Sequence, residues 1–137
     1  MTTTPPALRY GFVRSLERVS FDDVVARVTA ALQAEGFGVL TEIDVAATLK
    51  KKLDISFRRY VILGACNPSL AHRALVAEPQ IGLLLPCNVV VQEVDGGSVL
   101  VSIADSKAMF MMVDNPTVAP IADEADAKLR RVMKALD

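Results

Sequence analysis

The chain has 137 residues, a formal net charge of −1 and 23% charged residues, a length and balance that suit one compact domain. Hydrophobic residues make up 52% and tryptophan is absent, which predicts an aliphatic core that needs no staples. The charge argues against a nucleic-acid module, which needs a basic excess on one face, and no apolar run nears the roughly 20 residues of a membrane-spanning helix.

Residues 1–7, with three threonines and two prolines, are expected to form a disordered tail ahead of a single domain over 8–137. This opening lacks the basic and apolar regions of a secretory signal. The two cysteines sit in a domain large enough to do without a disulfide. Together these features predict a soluble cytoplasmic protein with free thiols. Alternation through Leu8, Tyr10, Phe12, Arg14 and Leu16 predicts a first strand. Ser20 caps the helix that follows, and Phe21, Val24, Val25, Val28, Ala31 and Leu32 make its apolar face. Gly36 suits its left-handed end. Phe37, Val39, Thr41 and Ile43 predict a second strand. Asp44 then caps a short helix with a Val45, Leu49 and Leu53 stripe and three lysines, Lys50 to Lys52, on its other side.

The nearly continuous apolar run from Tyr60 to Ala65 predicts a central strand, either buried on both faces or packed on one and lining a cavity on the other. Asn67, followed by Pro68 at the first helical position, caps a helix reaching about Glu78, where Pro79 stops it. Ile81 to Leu85 is expected to be an extended apolar connector. Val89–Val94 and Val99–Ile103 are strands joined by the turn Asp95-Gly96-Gly97. Asp105–Asn115 is irregular or partly helical. A long last helix presents Val118, Ile121, Ala122, Ala125, Leu129, Val132, Met133 and Leu136 on one face, with acids early and bases late along its dipole. This order predicts an α+β fold: about five strands in a largely antiparallel sheet, with helices packed mainly on one face. A doubly wound parallel sheet would expect a glycine-rich turn after the first strand, where Ser15-Leu16-Glu17-Arg18 stands instead.

The segments Gly36-Phe37-Gly38-Val39, Gly64-Ala65-Cys66-Asn67-Pro68, Ala71, Ala74-Leu75 and Leu85-Pro86-Cys87-Asn88-Val89-Val90-Val91 resemble the bacterial and archaeal domain-of-unknown-function family 302. The resemblance covers roughly residues 8–135, and the Cys-Asn-Pro and Leu-Pro-Cys-Asn pieces together are its specific part. It implies a TT1751-like, TBP-like α+β arrangement with a curved antiparallel sheet and a long C-terminal helix, and it implies a homodimer. It supplies no activity, ligand or cofactor, and so no catalytic role for any residue.

The two Cys-Asn pairs are where chemistry can sit. If the third and fourth strands are antiparallel neighbours, Cys66-Asn67 at the end of one and Cys87-Asn88 at the start of the other share a corner, with His72 one turn into the intervening helix. Cys66 precedes a helix N-terminus, whose dipole lowers a thiol's pKa. This predicts a small-ligand-binding or accessory domain whose mainly apolar pocket carries Cys66, Asn67, Cys87, Asn88 and His72 at its polar end. One alternative is a thiol-redox or soft-metal-handling protein in which Cys66, His72 and Cys87 would suit Zn²⁺ with an open fourth position. Another is an interaction module without chemistry, working through the Met109–Met112 segment or the last helix.

Plainer readings stand beside these. Free cysteines usually pack as small hydrophobes, Asn67 is most simply a helix cap, and Asn88 a strand-end amide tying down backbone. Lys50, Lys51, Lys52, Arg58 and Arg59 are a solvated basic face without an accompanying phosphate loop. Asp22 and Asp23 are caps rather than an acid–base pair. No nucleophile, base and orienter come together in the sequence, and a single histidine precludes the His-x-x-x-His zinc pattern, so the reading leans away from an enzyme.

Overall fold

A computed structural model describes residues 7–136. Of the expected tail, residues 1–6 lie outside the described residues, as does Asp137. The elements run β1 (Gly11–Leu16), α1 (Phe21–Ala34), β2 (Gly38–Asp44), α2 (Val45–Leu53), β3 (Tyr60–Cys66), α3 (Pro68–Ala77), a 3₁₀ segment (Pro79–Leu84), β4 (Cys87–Val94), β5 (Ser98–Ala104), α4 (Ser106–Phe110), a 3₁₀ turn (Met111–Val113) and α5 (Ala119–Lys134). The strands form one sheet in the order β1-β5-β4-β3-β2, and every neighbouring pair is antiparallel. This is the α+β arrangement that the element order predicts.

Local chemistry accounts for the boundaries. Ser20 Oγ accepts the Asp23 N–H at 3.1 Å and starts α1. At its end Phe37 N–H donates to the Leu32 carbonyl and Gly36 N–H to that of Gln33, with Gly36 at φ +85°. This is the paired closing pattern that left-handed glycine makes available. Asp44 Oδ1 takes the Ala47 N–H at 2.9 Å and turns β2 directly into α2. Gly96 and Gly97, at φ +91° and +84°, close the β4–β5 hairpin.

Strand alternation then sorts the side chains. Val61, Leu63, Ala65, Val89, Val91, Val99, Val101 and Ile103 are buried on one face, covered by Phe21, Val24, Val28, Ala31 and Leu32 of α1 and by Leu129, Val132 and Met133 of α5. A second apolar cluster joins Leu70 and Ala74 of α3, Ile81, Phe110 and Val118 to Ile121, Ala122 and Ala125 of α5. One helix thus serves both clusters, its later turns on the sheet and its earlier turns under α3.

Four expectations need correcting. The central strand is β4; β3 lies second from the edge, buried at Val61, Leu63 and Ala65 and half-buried at Tyr60, Ile62 and Cys66. Its apolar run therefore reflects one core face and one partly covered face. The first strand begins only at Gly11, where a Cβ would stand 2.9 Å from the Ile103 carbonyl oxygen, and Tyr10 before it is 67% exposed. Residues 81–85 are not extended: the segment coils into 3₁₀ turns. The α2 stripe is only partly used, with Val45 and Leu49 half-buried and Leu53 exposed.

Candidate functional site

The register places Ala65 opposite Cys87, Gly64 opposite Asn88 and Gly38 opposite Cys66. The end of β3 therefore abuts the start of β4, as the corner reading requires. The Leu85–Pro86 peptide that leads into β4 is cis. Around this corner lies a cavity of about 320 Å³. Ala65, Cys66 and Cys87 come to it from the sheet, and Asn67, Leu70, Ala71, Ala74 and Leu75 from α3 and its cap. Phe37, Leu40 and Thr41 stand on the β2 side, Leu85 and Pro86 on the connector, and Phe110, Ile121 and Ala125 on the helices beneath.

The cavity is the seam between the two apolar clusters. Phe37 and Ala65 belong to the sheet cluster, and Leu70, Ala74, Phe110, Ile121 and Ala125 to the helical one. Alanines at 65, 71, 74 and 125 leave the space that larger side chains would occupy. Two backbone devices shape its β2 wall. The β2–β3 register slips between Val39 and Thr41, so Leu40 is an extra residue, 69% exposed at the rim. Thr41 is thereby set opposite Gly64, where a Cβ would overlap Thr41 Oγ1 and come within 2.9 Å of Pro86 Cγ. Glycine at 64 lets those two side chains close over the strand.

Of the five predicted site residues, Cys66, Asn67 and Cys87 line the cavity, and Asn88 and His72 do not. Both excluded residues are exposed. Asn88 lies between core-facing Cys87 and Val89, so it faces the other side of the sheet and is exposed. On α3 the cavity takes positions 70, 71, 74 and 75, and His72 falls on the opposite, exposed side. The three-ligand metal alternative is therefore not assembled: among the described residues no group of three or more His, Cys, Asp or Glu side chains is placed to hold a metal ion.

The remaining polar groups are largely engaged. Asn67 Oδ1 accepts the Leu70 N–H at 3.2 Å, and Asn67 Nδ2 donates to the Glu35 carbonyl at 3.4 Å, tying the start of α3 to the end of α1. Cys87 Sγ stands 3.9 Å from Ser106 Oγ. Burial pushes the Cys87 thiol above its ordinary range, the Ser106 contact opposes this, and the nearby Cys66 adds to it. Cys87 is thus held as a neutral thiol, the opposite of an activated nucleophile. Both cysteines are free.

A second hollow, of about 450 Å³, lies beside α4 and the start of α5. Lys107, Asp114, Asn115 and Asp123 line it, none of them a predicted site residue. Its Lys107 and Asp123 pair with each other at 3.7 Å. The interaction-module reading loses its helix, because the apolar face of α5 is spent on the two clusters. Met111 and Met112 stay 79% and 73% exposed.

The model of the family described as "Domain of unknown function DUF302" matches residues 12–136. The chain belongs to the DUF302 family. Its fold is similar to the crystal structure of an uncharacterized conserved DUF302 protein from Bacillus stearothermophilus, at 26% identity and a TM-score of 0.85. That likeness covers 93% of this chain and 98% of the other. No curated protein matches the chain. Among the described residues, no helix of this DUF302 protein is long and apolar enough to cross a membrane.

Sequence reasoning missed the cavity's alanine walls, Phe37, Thr41 and Phe110. The α3 wall left a signal, since Leu70, Ala71, Ala74 and Leu75 lie on one helical stripe whose alanines leave room. Phe110 left none, because it comes from a five-residue helix in a segment without periodicity.

Proposed function

We propose that this DUF302 protein is a cytoplasmic small-molecule-binding domain, and that the seam cavity is its binding site. The observation behind the proposal is a mainly apolar space of about 320 Å³ that meets Cys66, Asn67 and Cys87 at the β3–β4 corner. Sites for small ligands are commonly concave, apolar and of about 300–1,000 Å³. A cytoplasmic setting fits the two free thiols. The thiol-redox alternative has less support, because burial disfavours the Cys87 thiolate. A fragment screen read by amide chemical shifts tests the proposal. Hits should converge on Ala65, Cys66, Ala71 and Ala74, and a screen whose hits all fall elsewhere on the surface would remove this assignment.

A second reading concerns assembly: the domain pairs with a second copy of itself. Its support is an edge strand, β2, and exposed apolar side chains in and after it. Leu40 is 69% exposed, Ile43 49%, Leu53 63%, Ile55 45% and Phe57 39%. Sedimentation equilibrium tests this. A two-chain species should be shifted towards monomer by Ile43→Lys with Leu53→Lys, and a monomer at micromolar concentration would rule it out.

A further inference from the structure

Resting on the cavity as the binding site, the geometry points to a neutral, apolar occupant of about bicyclic-aromatic size that keeps no ionised group inside. Size comes first. An apolar cavity of about 150 Å³ holds one benzene ring, so 320 Å³ accommodates roughly two fused rings or a medium-length hydrocarbon chain.

Charge is the sharper criterion. Among the described residues, no Asp, Glu, Lys, Arg or His side chain lines the cavity. Asn67 accepts the Leu70 N–H through Oδ1 and donates one amide N–H to the Glu35 carbonyl. A helix N-terminus normally welcomes an anion, yet α3 offers little here. Pro68 has no N–H, Leu70 donates to Asn67 Oδ1, and Ala71 N–H donates to the Asn67 carbonyl at 2.9 Å. The remaining first-turn donor belongs to Ser69, which is exposed and does not line the cavity. Among the described residues, no fully buried side-chain nitrogen or oxygen lacks a partner. An ionised group placed inside would lose its water and meet no opposite charge in exchange. A hydroxyl can still meet Thr41 Oγ1 or the two thiols.

The experiment titrates three probes of one shape, 2-naphthalenemethanol, 2-naphthoate and 2-naphthylmethylammonium, against the full chain and against Ala74→Leu, by calorimetry at neutral pH. The alcohol should bind at least roughly a hundredfold more tightly than either ion, and Ala74→Leu should abolish that binding. An ion that binds as well as the alcohol, with binding still lost in Ala74→Leu, overturns the charge selectivity and leaves the cavity as the site. Failure of all three probes, or alcohol binding that survives Ala74→Leu, overturns both. If Ala74→Leu does not fold by circular dichroism, Ala71→Leu on the same wall takes its place.

Discussion

Replacing Ala74 with leucine directs three more carbon atoms into the seam. Ala74 is 2% exposed, lines the cavity, and sits on α3 among Leu70, Ala71 and Leu75. Each methylene moved from water into apolar surroundings contributes about 0.8 kcal/mol, so three give roughly 2.4 kcal/mol. Ordering a buried leucine side chain removes about 0.5–1 kcal/mol of this, and helix propensity changes little. The expected net effect is a stabilisation of about 1–2 kcal/mol. It would appear as a raised urea midpoint at unchanged slope and a Tm higher by roughly 3–8 °C. The sign decides the matter. In a wall already packed to the density of a protein interior, the same atoms would cost about 1–3 kcal/mol. A lowered midpoint with cooperative unfolding would refute the reasoning, provided that Leu129→Ala in the dense sheet cluster loses the usual 2–5 kcal/mol, roughly.

Gly64→Ala should lose about 1–3 kcal/mol, since its methyl group meets Thr41 Oγ1 and Pro86 Cγ. Adding Thr41→Ala should recover part of that loss in a double-mutant cycle read by urea denaturation, and additive losses would contradict the contact. Asn67→Ala should lose roughly 1 kcal/mol of stability through the missing cap, whereas Asn67→Asp, which keeps an acceptor for Leu70 N–H, should retain most of it; equal losses would refute the capping role. The raised Cys87 pKa gives a pH dependence. The folded state favours the neutral thiol, so this contribution is complete below the ordinary thiol range and is lost as pH rises through it. Denaturation between about pH 8 and about pH 10 should show stability falling more steeply in the native sequence than in Cys87→Ala, and parallel slopes would contradict the buried thiol. Asp22, held below the usual carboxylate range by its hydrogen bond and charge pairing with Arg59, works in the other direction. Its contribution is present above that range and lost as pH falls through the folded value. Arg59→Gln should therefore flatten the acid limb slightly, as suits an exposed pair, and an unchanged limb would count against the pairing.

The architecture was legible because its signals are local. Ser20, Gly36, Asp44 and Asn67 end or begin helices by side-chain and backbone chemistry within a few residues. The β4–β5 hairpin is written in Asp95-Gly96-Gly97. The α5 stripe was clear as one apolar face, but not as a face shared between two clusters, since a helical period carries no record of what each turn packs against. The site was half legible. That Cys66 and Cys87 share a corner followed from strand order. That His72 leaves it follows from the period of the helix, which adjacency in sequence obscured. The cavity itself was hidden, because it is defined by what is missing at Ala65, Ala71, Ala74 and Ala125, on three separate elements. The Leu40 bulge, which sets Thr41 opposite Gly64, is a matter of register between strands and leaves no pattern in one strand alone.

Crystals of the protein held under xenon pressure offer the most direct measurement, because xenon enters dry apolar space and avoids polar sites. Anomalous density is expected within the seam, bounded by Cys66, Ala74, Cys87 and Phe110, and should disappear in Ala74→Leu. Side chains closed upon one another there, or hydrogen-bonded water filling the space in place of xenon, would contradict it.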